Sequence, residues 1–270
     1  MRIVHVTELE ASELRPYRTL RRPVDHQQQG IFVAEGEKVV RRLLESKLDV
    51  VSVLMTPEWL HIYQPLLEVQ SSEVQVFIAD KRRVEEIVGF HLHQGIMAVG
   101  RIPRLGSLDD VLAANARPYL LVAVDGLTNA ENLGVLVRNC AAFGVQALLV
   151  GETSSSPYLR RAVRNSMGTL FDLPVVHVPS LAGTLEQIRG TQKIRILAAH
   201  PRSREKEIQQ ARLTEDCCLV FGSEGEGVSP EVLAACDEAV AIPMKEGVDS
   251  LNVASASAVF LYEVQRQRKM

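Results

Sequence analysis

Six short apolar runs alternate with helical stretches in the chain after residue 119. They are YLLVAV (119–124), ALLVG (147–151), PVVHV (174–178), RILAAH (195–200), CLVFG (218–222) and AVAIP (239–243). Nearly continuous apolar strands that alternate with helices form a mostly parallel sheet covered by helices on both faces. We therefore predict an α/β fold. Because ligands gather at the carboxyl ends of such strands, the loops after Val124, Phe221 and Ile242 are the candidate sites.

A smaller α/β module precedes this sheet. Residues 31–43 have the pattern of a strand followed by a helix. Further strands are predicted at VVSVLM (50–55), VQVFIA (74–79) and GIMAVG (95–100), with a helix at KRRVEEIVG (81–89). The segment RIPRLGSLDD (101–110) separates two apolar runs and has the composition of a linker. For a chain of 270 residues, we therefore predict two domains, 1–105 and 106–270.

Composition excludes several classes of protein. No apolar run approaches the roughly 18 residues needed to span a bilayer, and Glu8, Glu10 and Glu13 stand where a signal peptide needs its apolar core. We expect a cytoplasmic protein with no membrane partner. The 4 cysteines contain no C-x-x-C pair, so neither a metal site nor a disulfide framework is indicated. The formal net charge is −3, so a nucleic-acid site would have to be a local basic patch.

The first candidate loop, 125–138, collects polar groups at the start of a helix. Arg138 lies off the apolar face of this helix, and the missing side chain at Gly134 lets the guanidinium reach back toward Asn129 and Asn132. Two amides and an arginine at a helix N-terminus suit a phosphate or a ribose. The alternative is an asparagine cap with a solvated arginine.

The second loop, FGSEGEGVSP (221–230), follows a strand and precedes a helix that Ser229 is placed to cap. Its glycines, Gly222, Gly225 and Gly227, bring backbone amides close to another group. Their order matches neither the dinucleotide fingerprint nor the P-loop. Two acidic residues in the loop favour a cationic or neutral ligand over phosphate. The alternative is a plain glycine-rich turn.

The third loop, IPMKEGVDSLNV (242–253), places Ser250 and Asn252 at the start of the last helix. As isolated residues they fit helix caps as well as site residues. Alanine and serine fill positions 254–258, which permits close approach of another backbone or another subunit.

The three loops together carry an ordered set of motifs. N-A-E-N-L-G-x-x-x-R, G-S-E-G-E-G and I-P-M-x-x-x-x-x-S-L-N-V closely resemble the signature motifs of SpoU/TrmH-type RNA 2′-O-methyltransferases. The resemblance covers 119–266 and extends less sharply to 28–100, which is similar to the L30e-like substrate-binding domain of that family. Glu246 stands where the family commonly has glycine, and Ala254 where serine is common.

The resemblance implies a SPOUT-type domain with a C-terminal trefoil knot, and a homodimer that forms through this knotted domain. It also implies S-adenosyl-L-methionine as the cofactor and no metal. The cofactor-binding residues that it implies are Gly222, Ser223, Ile242, Met244 and Leu251.

The implied reaction is attack of a ribose 2′-oxygen on the cofactor methyl group, which requires positioning and loss of the hydroxyl proton. The resemblance implies that Arg138 handles the 2′-hydroxyl. The other implied catalytic residues are Asn129, Asn132, Glu224, Ser250 and Asn252. Because a guanidinium stays protonated in proteins, stabilising the alkoxide or gripping a phosphate is as physical a role for Arg138 as that of base.

RNA is the expected partner, with rRNA favoured over tRNA, and we expect residues 1–105 to select it. The basic clusters are Arg15, Arg18, Arg21 and Arg22; Lys81, Arg82 and Arg83; and Arg160, Arg161 and Arg164. One alternative is an RNA-binding protein of the same fold without catalysis, although Arg138, Asn132 and Asn252 are all present. A second alternative, a nucleotide-dependent oxidoreductase, lacks its glycine fingerprint.

Overall fold

The chain folds into two compact units. The structure is a computed structural model that describes residues 1–103, 106–200 and 206–269. The first unit comprises Met1–Arg104 and Tyr158–Phe171, and the second comprises Leu105–Pro157 and Asp172–Met270.

One segment groups differently from the predicted domains 1–105 and 106–270. Tyr158–Phe171 falls in the region of sequence assigned to the second domain, yet it packs within the first unit. The predicted linker, 101–110, contains residues 104 and 105, which lie outside the described residues. The two domain boundaries stay a prediction.

The described strands are β1 (Arg2–His5), β2 (Ile31–Glu35), β3 (Val50–Met55), β4 (Gln75–Ile78), β5 (Ile96–Arg101), β6 (Leu120–Val124), β7 (Ala147–Val150), β8 (Val175–His177), β9 (Arg195–Ala199), β10 (Cys217–Phe221) and β11 (Glu238–Val240). The described α-helices are α1 (Arg15–Arg18), α2 (Pro23–Gln28), α3 (Glu37–Glu45), α4 (Pro57–Glu68), α5 (Lys81–Val88), α6 (Leu108–Ala113), α7 (Ala130–Ala142), α8 (Arg160–Asn165), α9 (Leu181–Gln192), α10 (Pro230–Ala234) and α11 (Val253–Arg268). Short 3-10 turns lie at Ser12–Leu14, Thr169–Asp172 and Ile208–Gln210. None of the described helices is long and apolar enough to cross a membrane.

The first unit contains a mixed sheet of order β1-β4-β3-β5-β2. β5 runs antiparallel to both β2 and β3, and the other pairs are parallel. The predicted strands β2, β3, β4 and β5 and the predicted helices α3 and α5 are confirmed. β1 and α4 were not predicted. β1 is a short edge strand whose residues are mostly exposed, so it carries no apolar run.

The segment Tyr158–Phe171 contributes to the core of this unit. The ring of Phe32 in β2 packs against the rings of Tyr158 and Phe171, with centroid separations of 5.5 and 5.4 Å. The carboxylate of Glu35, at the end of β2, forms ion pairs with two arginines of α8. The sheet of the first unit is therefore covered in part by residues that follow β7 in the sequence.

The second unit contains a parallel sheet of order β11-β9-β10-β6-β7-β8. The chain runs from β6 outward to one side through β7 and β8, and then occupies the other side with β9, β10 and β11. β6 and β10 are therefore adjacent strands from which the chain leaves in opposite directions, and ligands bind at the carboxyl ends of such a pair. The predicted α/β class with a mostly parallel sheet is confirmed, and the trefoil knot stays a prediction.

Candidate functional site

Asn129 begins α7 as its N-cap. Its side-chain oxygen accepts hydrogen bonds from the backbone amides of Glu131 at 2.9 Å and Asn132 at 3.1 Å. These bonds satisfy two of the amides that a helix N-terminus leaves without partners. The asparagine cap that the sequence offered as an alternative is therefore present, and it fixes the first turn of the helix that carries Asn132 and Arg138.

Arg138 lies on the solvent side of α7. Its side chain is exposed, and within residues 1–103, 106–200 and 206–269 it forms no hydrogen bond or ion pair. The contact with Asn129 and Asn132 that we expected is not among the hydrogen bonds of the structure, because those amides have other partners. The guanidinium is consequently available to a ligand.

A chain of side-chain hydrogen bonds connects the three motif loops. The Asn252 oxygen accepts from the amide of Ala254 at 2.9 Å and caps α11. The Asn252 Nδ2 donates to Asn132 Oδ1 at 3.1 Å, and the Asn132 Nδ2 donates to a carboxylate oxygen of Glu224. Each amide thus donates with its nitrogen and accepts with its oxygen. The chain of bonds holds one side chain from each motif at a single place.

The second loop closes on its own backbone. Ser223 N donates to Gly227 O at 2.9 Å, and Gly227 N donates to Ser223 O at 3.1 Å. A Cβ atom at Gly222 would lie 2.0 Å from the carbonyl carbon of Gly227, whereas one at Gly225 would meet open space. The close approach that we predicted for these glycines exists at Gly222, and its partner is the loop itself.

Two further contacts hold the loops, and neither was predicted from the sequence. The buried carboxylate of Asp125, directly after β6, accepts a hydrogen bond from Ser229 N at 2.7 Å. Asn139 of α7 donates to Ala254 O at 2.8 Å and to Ser257 Oγ at 2.9 Å in the first turns of α11. An Asp after a strand is a weak signal for the first contact, and no spacing pattern indicates the second.

A cavity of about 560 Å³ lies between the second and third loops. Its lining includes eight predicted site residues, namely Gly222, Ser223, Glu224, Ile242, Met244, Ser250, Leu251 and Asn252. Asn129, Asn132 and Arg138 are not part of the lining, although Asn132 contacts two residues that are. His200, after β9, also lines the cavity and was not predicted.

The walls of the cavity combine apolar surface with negative charge. Phe221, Ile242 and Phe260 contribute apolar surface. The described lining residues also include three carboxylates, those of Glu224, Glu226 and Asp249, and neither lysine nor arginine. A volume of this size is typical of sites for small molecules and cofactors. S-adenosyl-L-methionine has a sulfonium, an ammonium and an adenosine ring system, and the residues present fit such a ligand better than a phosphate.

Comparison with known proteins identifies the family. Residues 119–262 match the SpoU rRNA Methylase family. The chain belongs to that family. A 23S rRNA (guanosine-2'-O-)-methyltransferase RlmB from Escherichia coli K12 is 30% identical over 239 residues, which cover 86% of this chain and 97% of the relative. The RlmB of Vibrio vulnificus is 38% identical over 179 residues, covering 65% and 71%.

Solved structures of related proteins share the fold of this SpoU-family chain. The SpoU methyltransferase AviRb from Streptomyces viridochromogenes superposes with a TM-score of 0.82 at 25% identity, covering 96% of this chain and 98% of that one. A protein of the TrmH family from Porphyromonas gingivalis has a TM-score of 0.78 at 26% identity, covering 97% of this chain and 100% of that one. The predicted family, fold class and methyltransferase class are confirmed.

We predict that Gly222→Ala weakens binding of S-adenosyl-L-methionine by about tenfold or more, equivalent to ~1.4 kcal/mol. The added methyl group would overlap the backbone of Gly227, so the loop would have to open. Isothermal titration of the full chain measures this effect. Gly225→Ala is the matched control and should bind nearly as the wild type does. Equal affinities for the two variants would show that loop closure does not shape the cavity.

Proposed function

We propose that this protein transfers a methyl group from S-adenosyl-L-methionine to a ribose 2′-hydroxyl of ribosomal RNA. The observation that carries the proposal is the bond chain from Asn252 through Asn132 to Glu224, which unites the three motif loops at the edge of the cavity. The RlmB relatives, named as 23S rRNA 2′-O-methyltransferases, support ribosomal RNA as the substrate class.

In this proposal the cavity between the second and third loops holds the cofactor. Gly222 and Ser223 contact it from the closed loop, and Ile242, Met244 and Leu251 pack against its apolar parts. When bound, the cofactor supplies a methyl group made electrophilic by its positive sulfur. The carboxylate of Glu224, oriented by Asn132, offsets positive charge at this edge of the cavity.

The side chains of the first and third motifs serve the ribose. Arg138 carries a charged guanidinium without a partner among the described residues, so it is free to donate to the 2′-oxygen as negative charge develops there. The Oδ1 of Asn129 is used by its cap on α7, where it accepts from two backbone amides, so Asn129 can contact the ribose only through its Nδ2 donor. Ser250 is exposed at the mouth of the cavity, where it can donate to or accept from the RNA.

We predict that Arg138→Ala lowers kcat by more than tenfold, a barrier change above roughly 1.4 kcal/mol, while the Kd for the cofactor stays nearly constant. Methyl transfer from labelled cofactor to ribosomal RNA and isothermal titration measure the two quantities. Arg212→Ala, which removes another exposed arginine of the second unit, is the control. Retention of more than a tenth of the wild-type rate would remove Arg138 from the chemistry. A wild-type protein that binds RNA and cofactor without transfer would support the binding-only alternative.

The predicted basic clusters differ in how their charges are already used. Arg82 pairs with Glu86 at 3.1 Å, and Arg83 pairs with Asp80 at 3.8 Å. In the third cluster, Arg160 and Arg164 pair with Glu35. Arg21 and Arg22, between α1 and α2, are exposed and form no ion pair within the described part of the chain. We therefore propose that Arg21 and Arg22 contact RNA phosphates.

We predict that replacing Arg21 and Arg22 by alanine weakens RNA binding and flattens its dependence on salt. Each lost phosphate contact should reduce the slope of log K against log salt by about 1. Titrations of a ribosomal RNA fragment at several salt concentrations measure the slope. The double variant Arg82→Ala and Arg83→Ala is the control, since both arginines have acidic neighbours. A larger loss of RNA binding in the control variant would indicate that α5, rather than Arg21 and Arg22, contacts the RNA phosphates.

We further propose that the chain forms a homodimer through the second unit. α11 exposes Ser255, Val259 and Tyr262 on one stripe, with 39% of Val259 and 60% of Tyr262 accessible. Small and aromatic residues on one stripe permit a close two-fold contact.

We predict a dimer by light scattering at micromolar concentration, and dissociation on Tyr262→Asp. The new charge would have to be buried without a partner in the interface. Tyr119→Phe is a suitable control, since it removes only the hydroxyl of a buried tyrosine of the same unit. A monomeric wild type would contradict the proposal.

A further inference from the structure

Residues 151–171 connect the first motif loop to the core of the first unit. We call this segment the strap. Its first part, up to Pro157, belongs to the second unit, and its remainder, from Tyr158, belongs to the first. The two parts make different contacts.

The first part of the strap holds the backbone of the motif loop. Ser154 Oγ donates to Val124 O at 3.0 Å and accepts from Leu127 N at 3.1 Å. Ser155 N donates to Leu127 O at 3.0 Å, and Ser155 Oγ donates to Thr128 O at 3.0 Å. These bonds satisfy four backbone groups between the end of β6 and Asn129. The position of the α7 cap therefore depends on two serines.

The second part of the strap is anchored by a buried charge. Only 8% of the Glu35 side chain is accessible, and its two oxygens accept from Arg160 and, at 3.1 Å, from Arg164. Arg160 itself is 20% accessible, and its guanidinium lies 5.4 Å from the ring centre of Phe90. Removing one partner of a buried ion pair of this kind strongly destabilises the folded protein, because the other charge is left buried without compensation.

Further contacts fix the end of the strap. Arg42 Nη1 donates to Met167 O at 2.7 Å, and a Cβ atom at Gly168 would lie 3.0 Å from the Cβ of Arg42. The strap is thus held along its length from Tyr158 to Phe171.

The two parts of the strap are separated by very little chain. Ser155 and Tyr158 are three residues apart, and three peptide steps span at most roughly 11 Å. The short connection therefore limits how far the two parts of the strap can move apart.

We propose that the strap makes the position of the first motif loop depend on the first unit, with Ser155 and Glu35 as positioning residues for methyl transfer. Ser155 acts directly on the loop that ends at Asn129, and Glu35 acts through α8. The role of these two residues in methyl transfer rests on the function proposed above. The dependence of the loop position on the strap does not rest on that function.

The test uses the full chain and reads the loop by hydrogen exchange followed by mass spectrometry. Glu35→Gln keeps the shape of the side chain and removes its charge. We expect faster exchange in 158–171 and, about tenfold, in the amides of 125–128, since local opening sets exchange rates. If 158–171 loosens while 125–128 keeps its wild-type exchange, the strap transmits nothing and the proposal is overturned. Arg164→Gln, at a more exposed partner, replaces Glu35→Gln if that variant does not fold.

Kinetics separate positioning from general stability. We expect Ser155→Ala to lower kcat about tenfold with little change in KM or in the cofactor Kd, and Ser155→Thr, which keeps the hydroxyl, to restore it. Thr191→Ala removes a comparable hydroxyl that donates to Gln187 O in α9, and it should leave kcat unchanged. Equal kcat for Ser155→Ala and the wild type would overturn the role of Ser155. If the wild type transfers no methyl group, the proposed function fails, and the exchange experiment still decides the strap.

Discussion

The backbone amide of Asp125 donates to the carbonyl oxygen of Phe221 at 2.9 Å, at the point where β6 and β10 end side by side. The first and second loops of the site both begin at this bond. The Asp125 carboxylate then fixes the start of α10 through Ser229, and Gly222 allows the second loop to fold back on itself. The chain leaves these two parallel strands in opposite directions, which opens a crevice at their carboxyl ends. The spacing of the strands in the sheet sets the distance between the loops that line this crevice.

Neutral amides, rather than ion pairs, join the three motif loops. Asn132 and Asn252 use their donors and acceptors on each other, on Glu224 and on a helix cap. Within the described parts of the chain, the carboxylates that line the cavity and the guanidinium of Arg138 form no ion pair. The carboxylates gather around the cavity, and the guanidinium of Arg138 stays apart from them. Such a separation suits a reaction between a cationic methyl donor and a polyanionic substrate.

The sequence predicts the parts of this molecule that depend on local pattern. The parallel strands follow from apolar runs, and the loops that line the cavity follow from the position of those strands and from the family motifs. What was missed depends on contacts between distant residues. Neither the bond between Asn139 and α11 nor the partner of the Asp125 carboxylate has a spacing signature. The close approach at Gly222 was expected from the sequence, but only the structure shows that the group it approaches is the backbone of Gly227. Likewise, Arg160 and Arg164 resemble a solvated basic cluster until Glu35 is placed beside them.

The membership of Tyr158–Phe171 in the first unit also has a consequence for synthesis on the ribosome. The sheet of this unit is complete in sequence by Arg101, yet the ring of Phe32 acquires its neighbours Tyr158 and Phe171 only when the later segment has been translated. At translation rates of about 5–20 residues per second, that interval is roughly 4–14 s. During this time the apolar face of β2 is without part of its cover, so the nascent chain exposes apolar surface that the folded protein buries.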